Sequence, residues 1–181
     1  MEKGPEKNNH ILKIAITGTE STGKSMLAEQ LAKHFSTTWV PEYAREYIDK
    51  LGRNYEQHDI LKIAKGQLQH EMQALKKANR FLFCDTEFLV IKIWRENAYK
   101  NCDPWILDQF ENHLYDLYLL MDIDLPWEYD PQREHPHMRE YFFNFYLNEL
   151  SLNKLPFKII SGIGELRLTN SIRIIKDFFN L

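Results

Sequence analysis

Residues 18–25 read Gly18-Thr19-Glu20-Ser21-Thr22-Gly23-Lys24-Ser25 and satisfy every fixed position of the pattern G-x-x-x-x-G-K-[ST]. Gly18 and Gly23 let the backbone wrap tightly. Successive N–H groups, those of Ser21 and Thr22 among them, then face an anion together with the N-terminus of the following helix. Lys24 has the reach for the β- and γ-phosphates of a nucleotide, and the Ser25 hydroxyl can ligate Mg²⁺. In a chain of ordinary composition a chance match is on the order of 1% or less. ATP with Mg²⁺ is therefore the expected cofactor pair.

The flanks have the context that such a loop needs. Ile11–Thr17 is a short β-prone run, and Ser25–Phe35 places Leu27, Ala28, Leu31 and Phe35 on one helical face. Further out, strands and helices alternate. Thr37–Val40, Arg80–Asp85, Asp116–Met121 and Pro156–Ser161 read as strands. Gln57–Ala78, with Leu61, Ala64, Leu68, Met72 and Leu75 as its apolar stripe, reads as a helix. Phe88–Ala98, a segment opened by Asp103-Pro104, one marked by Met138, Tyr141, Phe142 and Phe145, and the C-terminal run with Ile172, Ile175 and Phe179 also read as helices. The near-continuous apolar runs at 80–84 and 157–160 suit strands covered on both faces. The expectation is a three-layer α/β/α fold of the P-loop NTPase type with a five-stranded parallel sheet. It forms one domain over residues 11–181, behind a frayed tail at 1–10.

The chain has 181 residues, a net charge of −3 and a hydrophobic fraction of 44%. That balance argues against broad attraction to nucleic acid or to an anionic membrane. No apolar run approaches the roughly 20 residues of a membrane span, and the polar start lacks a signal-peptide core. Two cysteines without metal or disulfide spacing suit a reducing, cytoplasmic compartment.

A phosphate loop alone does not name a reaction, so the charged residues around it must decide. Asp85 ends the third strand at the edge where α/β sheets bind ligands. It can bind Mg²⁺ through water, orient an acceptor hydroxyl as a base, or merely cap the next helix. Glu42 and Arg45, at i and i+3, form either part of a site or a surface pair. Trp127–His137 is polar, with prolines at 131 and 136. Over about 127–139, with Asp130, Arg133 and Arg139, it is either a lid or a solvated loop. A lid arginine such as Arg133 could neutralise charge on a transferring phosphoryl group. Trp127 could stack on a ring or simply pack, Trp94 and Trp105 read as core, and His135-x-His137 suits solvent better than a metal.

Four blocks, GTESTGKS, PEYAREY, FCDTEF and LLMDIDLPWEYDPQR, together resemble the ribosylnicotinamide kinase domain of NadR-type proteins, within the small P-loop ATPases related to the AAA type. The resemblance spans about Ile11–Leu181. It implies ATP-dependent phosphorylation of the 5′-hydroxyl of nicotinamide riboside. Glu42, Tyr43, Arg45 and Asp85 would then border the riboside, Arg133 would belong to the lid, and the 162–167 loop with Arg167 would lie on the adenine side. Family members often carry Trp just before the E-Y pair. Pro41 stands there instead, which leaves Tyr43 or Trp127 as the stacking candidate. With ten residues before the first strand, neither the adenylyltransferase domain nor the helix-turn-helix of full NadR proteins is expected. A kinase for another nucleoside and a nucleotide-binding regulatory ATPase are the alternatives.

Overall fold

A computed structural model describes residues 10–181. Of the expected tail at 1–10, residues 1–9 lie outside the described residues. Five parallel strands, β1 (Leu12–Thr17), β2 (Thr38–Val40), β3 (Phe81–Asp85), β4 (Leu117–Met121) and β5 (Phe157–Ile160), form one sheet in the order β2-β3-β1-β4-β5. Seven helices complete the described chain: α1 (Lys24–His34), α2 (Tyr43–Leu51), α3 (Gln57–Leu75), α4 (Phe88–Tyr99), α5 (Pro104–Asn112), α6 (Arg139–Leu152) and α7 (Glu165–Phe179).

The pleat sends alternate side chains to opposite faces and so builds two cores. On one face Ala15, Leu82, Cys84, Tyr118 and Leu120 meet α3–α6 through Ile60, Ala64, Phe88, Ile106 and Phe142. On the other, Ile14, Ile16, Phe81, Phe83 and Leu119 meet α1 and α7 through Leu27, Leu31 and Ile175. This is the three-layer α/β/α architecture expected. In parallel register Ile16 pairs with Asp85 and Thr17 with Leu120, which brings the carboxyl ends of the central strands level. The phosphate loop, Glu42, Asp85 and the 122–138 loop all leave the sheet at that edge.

Local chemistry sets the boundaries. Asp103 caps α5 by accepting from the Trp105 N–H at 2.9 Å, with Pro104 at the first helical position. Gly18 sits at φ 127°, and a Cβ there would lie 3.3 Å from the Met121 backbone. Only glycine lets β1 turn so close to β4.

Two expectations are corrected. β5 is an edge strand with Lys158 and Ile159 exposed, so only the 80–84 run is covered on both faces. The buried stripe of α3 is Ile60, Ile63, Ala64, Gln67 and Glu71, while Met72 is 59% exposed. The stripe is rotated because the helix buries polar side chains that an apolar period does not register.

Candidate active site

One cavity of about 1010 Å³ runs from the phosphate loop, under the 122–138 loop, to the side of α4. Gly18–Met26 line one end. Tyr55, Val90, Ile93, Trp94, Tyr99, Phe142 and Tyr146 make the other an aromatic and apolar chamber. Glu42, Arg45 and Arg133 lie along the walls between.

At the phosphate end Ser21 and Gly23 have φ of 56° and 76°, the left-handed backbone that curls the loop. Lys24 Nζ folds back to donate to the Thr19 carbonyl at 2.9 Å. Asp85 is fully buried, and neither carboxylate oxygen has a hydrogen-bond partner. Burial pushes its pKa up to about 6, and the nearby Glu42 carboxylate adds to the rise. The Lys24 ammonium and the Ser25 hydroxyl offset part of it without closing a hydrogen bond to either oxygen. A buried carboxylate without a partner beside a phosphate-binding loop is a candidate functional group. The donor set of Asp85 and Ser25, all oxygen, also fits Mg²⁺.

Asp85 is not a helix cap. Glu87 fills that role, accepting from the Leu89 N–H at 2.6 Å and from Thr17 Oγ1 at 2.8 Å. Its burial raises the Glu87 carboxyl to about 7. The turn between Asp85 and Glu87 is held by Gln67, whose Nε2 donates to the Thr86 carbonyl at 3.1 Å and the Asp85 carbonyl at 3.3 Å. Its Oε1 accepts from the Tyr43 N–H at 2.8 Å, so one buried amide joins the start of α2 to the end of β3. Sequence reading passed Gln67 over; a polar residue inside a helical stripe was the available signal.

The 122–138 loop is anchored on both sides. Glu20 accepts from the backbone N–H groups of Glu134 and His135 at 3.2–3.3 Å. Arg45 pairs with Asp130 at 2.9 Å, and Gln132 donates to Asp49 at 2.6 Å. Burial by itself would lower the Arg45 pKa, but the Asp130 hydrogen bond and charge raise it on balance. Arg133 Nη1 reaches the Glu128 carbonyl at 2.5 Å and Ser21 Oγ at 3.3 Å, which puts its guanidinium on the phosphate loop. Arg139 donates to the carbonyls of Leu125 and Ser21, leaving a buried Nε unpartnered.

Three expected site residues lie elsewhere. The Tyr43 ring packs over Gly66 and edge-on to His70 at 4.8 Å, filling the α2–α3 interface rather than the cavity. Trp127 stays outside the cavity lining and carries the Arg133 guanidinium 6.0 Å above its ring. Arg167 is 5% exposed and braces the loop from behind, bonding the Thr22 and Gly162 carbonyls and Asp124. Burial lowers its pKa. Conversely Trp94, read as core, lines the chamber and donates from Nε1 to the Tyr55 hydroxyl at 3.0 Å. Among the described residues, no cluster of three or more His, Cys, Asp or Glu could hold a metal, and no helix is long and apolar enough to cross a membrane.

The AAA domain family model matches residues 13–167. The chain belongs to the AAA domain family. Within it, the resemblance read from the four blocks is borne out by the trifunctional NAD biosynthesis/regulator protein NadR of Escherichia coli (strain K12). That protein is 32% identical over 152 residues, covering 80% of this chain and 37% of the relative. NadR of Salmonella typhimurium (strain LT2) matches with the same identity and coverage. The chain thus spans about 37% of the length of these curated relatives. Among solved structures, a NadR protein in complex with NR superposes with a TM-score of 0.79 at 21% identity, covering 94% of this chain and 52% of that one. Thymidylate kinase from Ehrlichia chaffeensis superposes at 0.60 and 15% identity, covering 92% and 97%. This AAA-domain chain therefore has the fold of P-loop kinases.

Proposed function

We propose that the protein is an ATP-dependent kinase that phosphorylates the 5′-hydroxyl of nicotinamide riboside, giving nicotinamide mononucleotide. One observation carries the reading. A single cavity joins a complete phosphate loop to an aromatic chamber, and a buried, unpartnered carboxylate, Asp85, lies near the loop just outside the cavity lining. A nucleotide-hydrolysing regulator needs only the first half of that cavity. The NAD biosynthesis function named for the NadR relatives, and the NR bound in a NadR structure, favour this acceptor among nucleosides.

The roles follow from position. The Gly18–Ser25 backbone cradles the phosphates, and Met26 and Ile163 offer adenine an apolar edge. Lys24 exchanges the Thr19 carbonyl for phosphate oxygens whose charge grows during transfer. Ser25 and Asp85 would hold Mg²⁺, which would supply neutralisation of phosphate charge. Asp85 also accepts the acceptor hydroxyl's hydrogen bond and orients it for in-line attack. Glu42 and Arg45 border the ribose. Arg133 moves from the Glu128 carbonyl to the transferring phosphoryl, and the 122–138 loop acts as a lid that excludes water. Tyr55, Trp94 and Tyr99 stack on the base, in place of the tryptophan that Pro41 replaces. The test is an ATP-consumption screen across nucleosides with product masses measured. Mononucleotide from nicotinamide riboside is expected; a purine or pyrimidine nucleoside used tenfold more efficiently would reassign the acceptor.

A further inference from the structure

The wall of the chamber holds a polar pair that no role above uses. Asn97, on α4, and His135, on the 122–138 loop, both line the cavity, with Asn97 Nδ2 3.1 Å from His135 Nε2. The His135 ring lies against Phe142, centroids 5.1 Å apart and planes inclined by 34°, and its backbone N–H is held by Glu20 of the phosphate loop. The imidazole is therefore fixed from both sides. Asn97 Oδ1 and His135 Nδ1 have no hydrogen-bond partner among the described residues.

With a neutral imidazole, the chemistry of this pair is the same for either tautomer. If Asn97 donates to a neutral imidazole, the pair keeps an amide oxygen as acceptor and an Nδ1–H as donor. If the imidazole donates instead, the pair keeps an N–H donor on Asn97 and an acceptor at Nδ1. Either way the pair keeps one free donor and one free acceptor. A primary carboxamide carries the complementary set, a C=O and an NH₂. A carboxylate carries only acceptors and would set one against the pair's own acceptor, in a chamber that already holds the Glu134 carboxylate at the Tyr55 hydroxyl.

We propose that Asn97 and His135 are the specificity-determining residues of the acceptor site, selecting a planar base that bears a primary carboxamide and rejecting its carboxylic acid counterpart. This rests on the acceptor reading above and extends it to the substituent on the ring. Because His135 belongs to the loop, a fitting base also ties that loop to α4 as the site closes.

The experiment compares nicotinamide riboside with nicotinic acid riboside at pH 8. The kcat/KM of each is measured with ATP and Mg²⁺, and the affinity of each by calorimetry with a non-hydrolysable ATP analogue. The carboxamide is expected to win by at least tenfold in both readouts. Asn97→Ala and His135→Ala should each cut the ratio below threefold by weakening the carboxamide alone. Both side chains line an open cavity, so the variants should melt with the parent protein. Equal use of the two ribosides by the parent, or an equal loss for both in the variants, would overturn the assignment while leaving the kinase reading intact. Turnover of neither riboside would overturn the nicotinamide riboside acceptor reading; the calorimetric ratio then still decides the specificity pair, and no binding of either riboside overturns both.

Discussion

Replacing Asp85 by Asn should make the protein more stable and less active, and the size of the gain should depend on pH. The parent carboxyl is buried without partners and its pKa is raised from 3.8 to about 6. A raised carboxyl binds its proton more tightly in the folded state, so the folded protein is penalised as pH climbs through this range. At pH 8 the penalty is fully developed, about 3 kcal/mol from a shift of roughly two units at 1.36 kcal/mol each. At pH 5 it is about half that, because the folded-state carboxyl is then mostly protonated. Asn carries no charge at either pH and escapes both penalties. Denaturant unfolding at the two values should therefore show Asp85→Asn gaining roughly 1–2 kcal/mol more at pH 8 than at pH 5. Turnover should fall about 10²–10⁴-fold with little change in ATP affinity. A variant that keeps parental turnover and is destabilised equally at both pH values would make Asp85 a structural residue.

Lys24→Ala should abolish phosphoryl transfer yet unfold close to the parent, since Nζ has only the Thr19 carbonyl as partner; single-turnover kinetics beside a melting curve checks both. Arg133→Ala should lower kcat more than it raises KM for ATP, because its contacts with Ser21 and the Glu128 carbonyl can be exchanged for phosphate only in the closed state; steady-state kinetics decides. Gly66→Ala should destabilise by about 1–2 kcal/mol despite the better helix propensity of Ala, because the new Cβ overlaps the Tyr43 ring. It should also weaken acceptor use by displacing Glu42 and Arg45, and a variant as stable as the parent would dismiss the packing argument.

What could be read from the sequence was what chemistry dictates locally. Few arrangements besides G-x-x-x-x-G-K-[ST] bring N–H groups, an ammonium and a hydroxyl onto one phosphate chain, so the loop declared itself and fixed its flanking strand and helix. Asp85 could be placed because it ends an apolar run. Direction across elements was harder. Tyr43 points at α3 because Gly66, 23 residues away, opens a space there, and no local pattern encodes that. Arg167 has the chemistry of a ligand-binding residue, but α7 aims it at the carbonyls behind the loop. The stripe of α3 misled because Gln67 and Glu71 are buried for their hydrogen bonds: Gln67 brackets two turns, while Glu71 accepts from Tyr115 and His113. Trp94 shows the converse, an aromatic that looks like core and faces a cavity.

Product stoichiometry decides whether the protein is a kinase acting on nicotinamide riboside. Purified protein is incubated with ATP, Mg²⁺ and nicotinamide riboside, and ADP and mononucleotide are quantified by mass spectrometry in the same samples. One nicotinamide mononucleotide per ADP is expected, and neither product from Lys24→Ala. ADP accumulating without mononucleotide, at a rate unaffected by the riboside, would contradict it and identify a nucleotide-hydrolysing regulator instead.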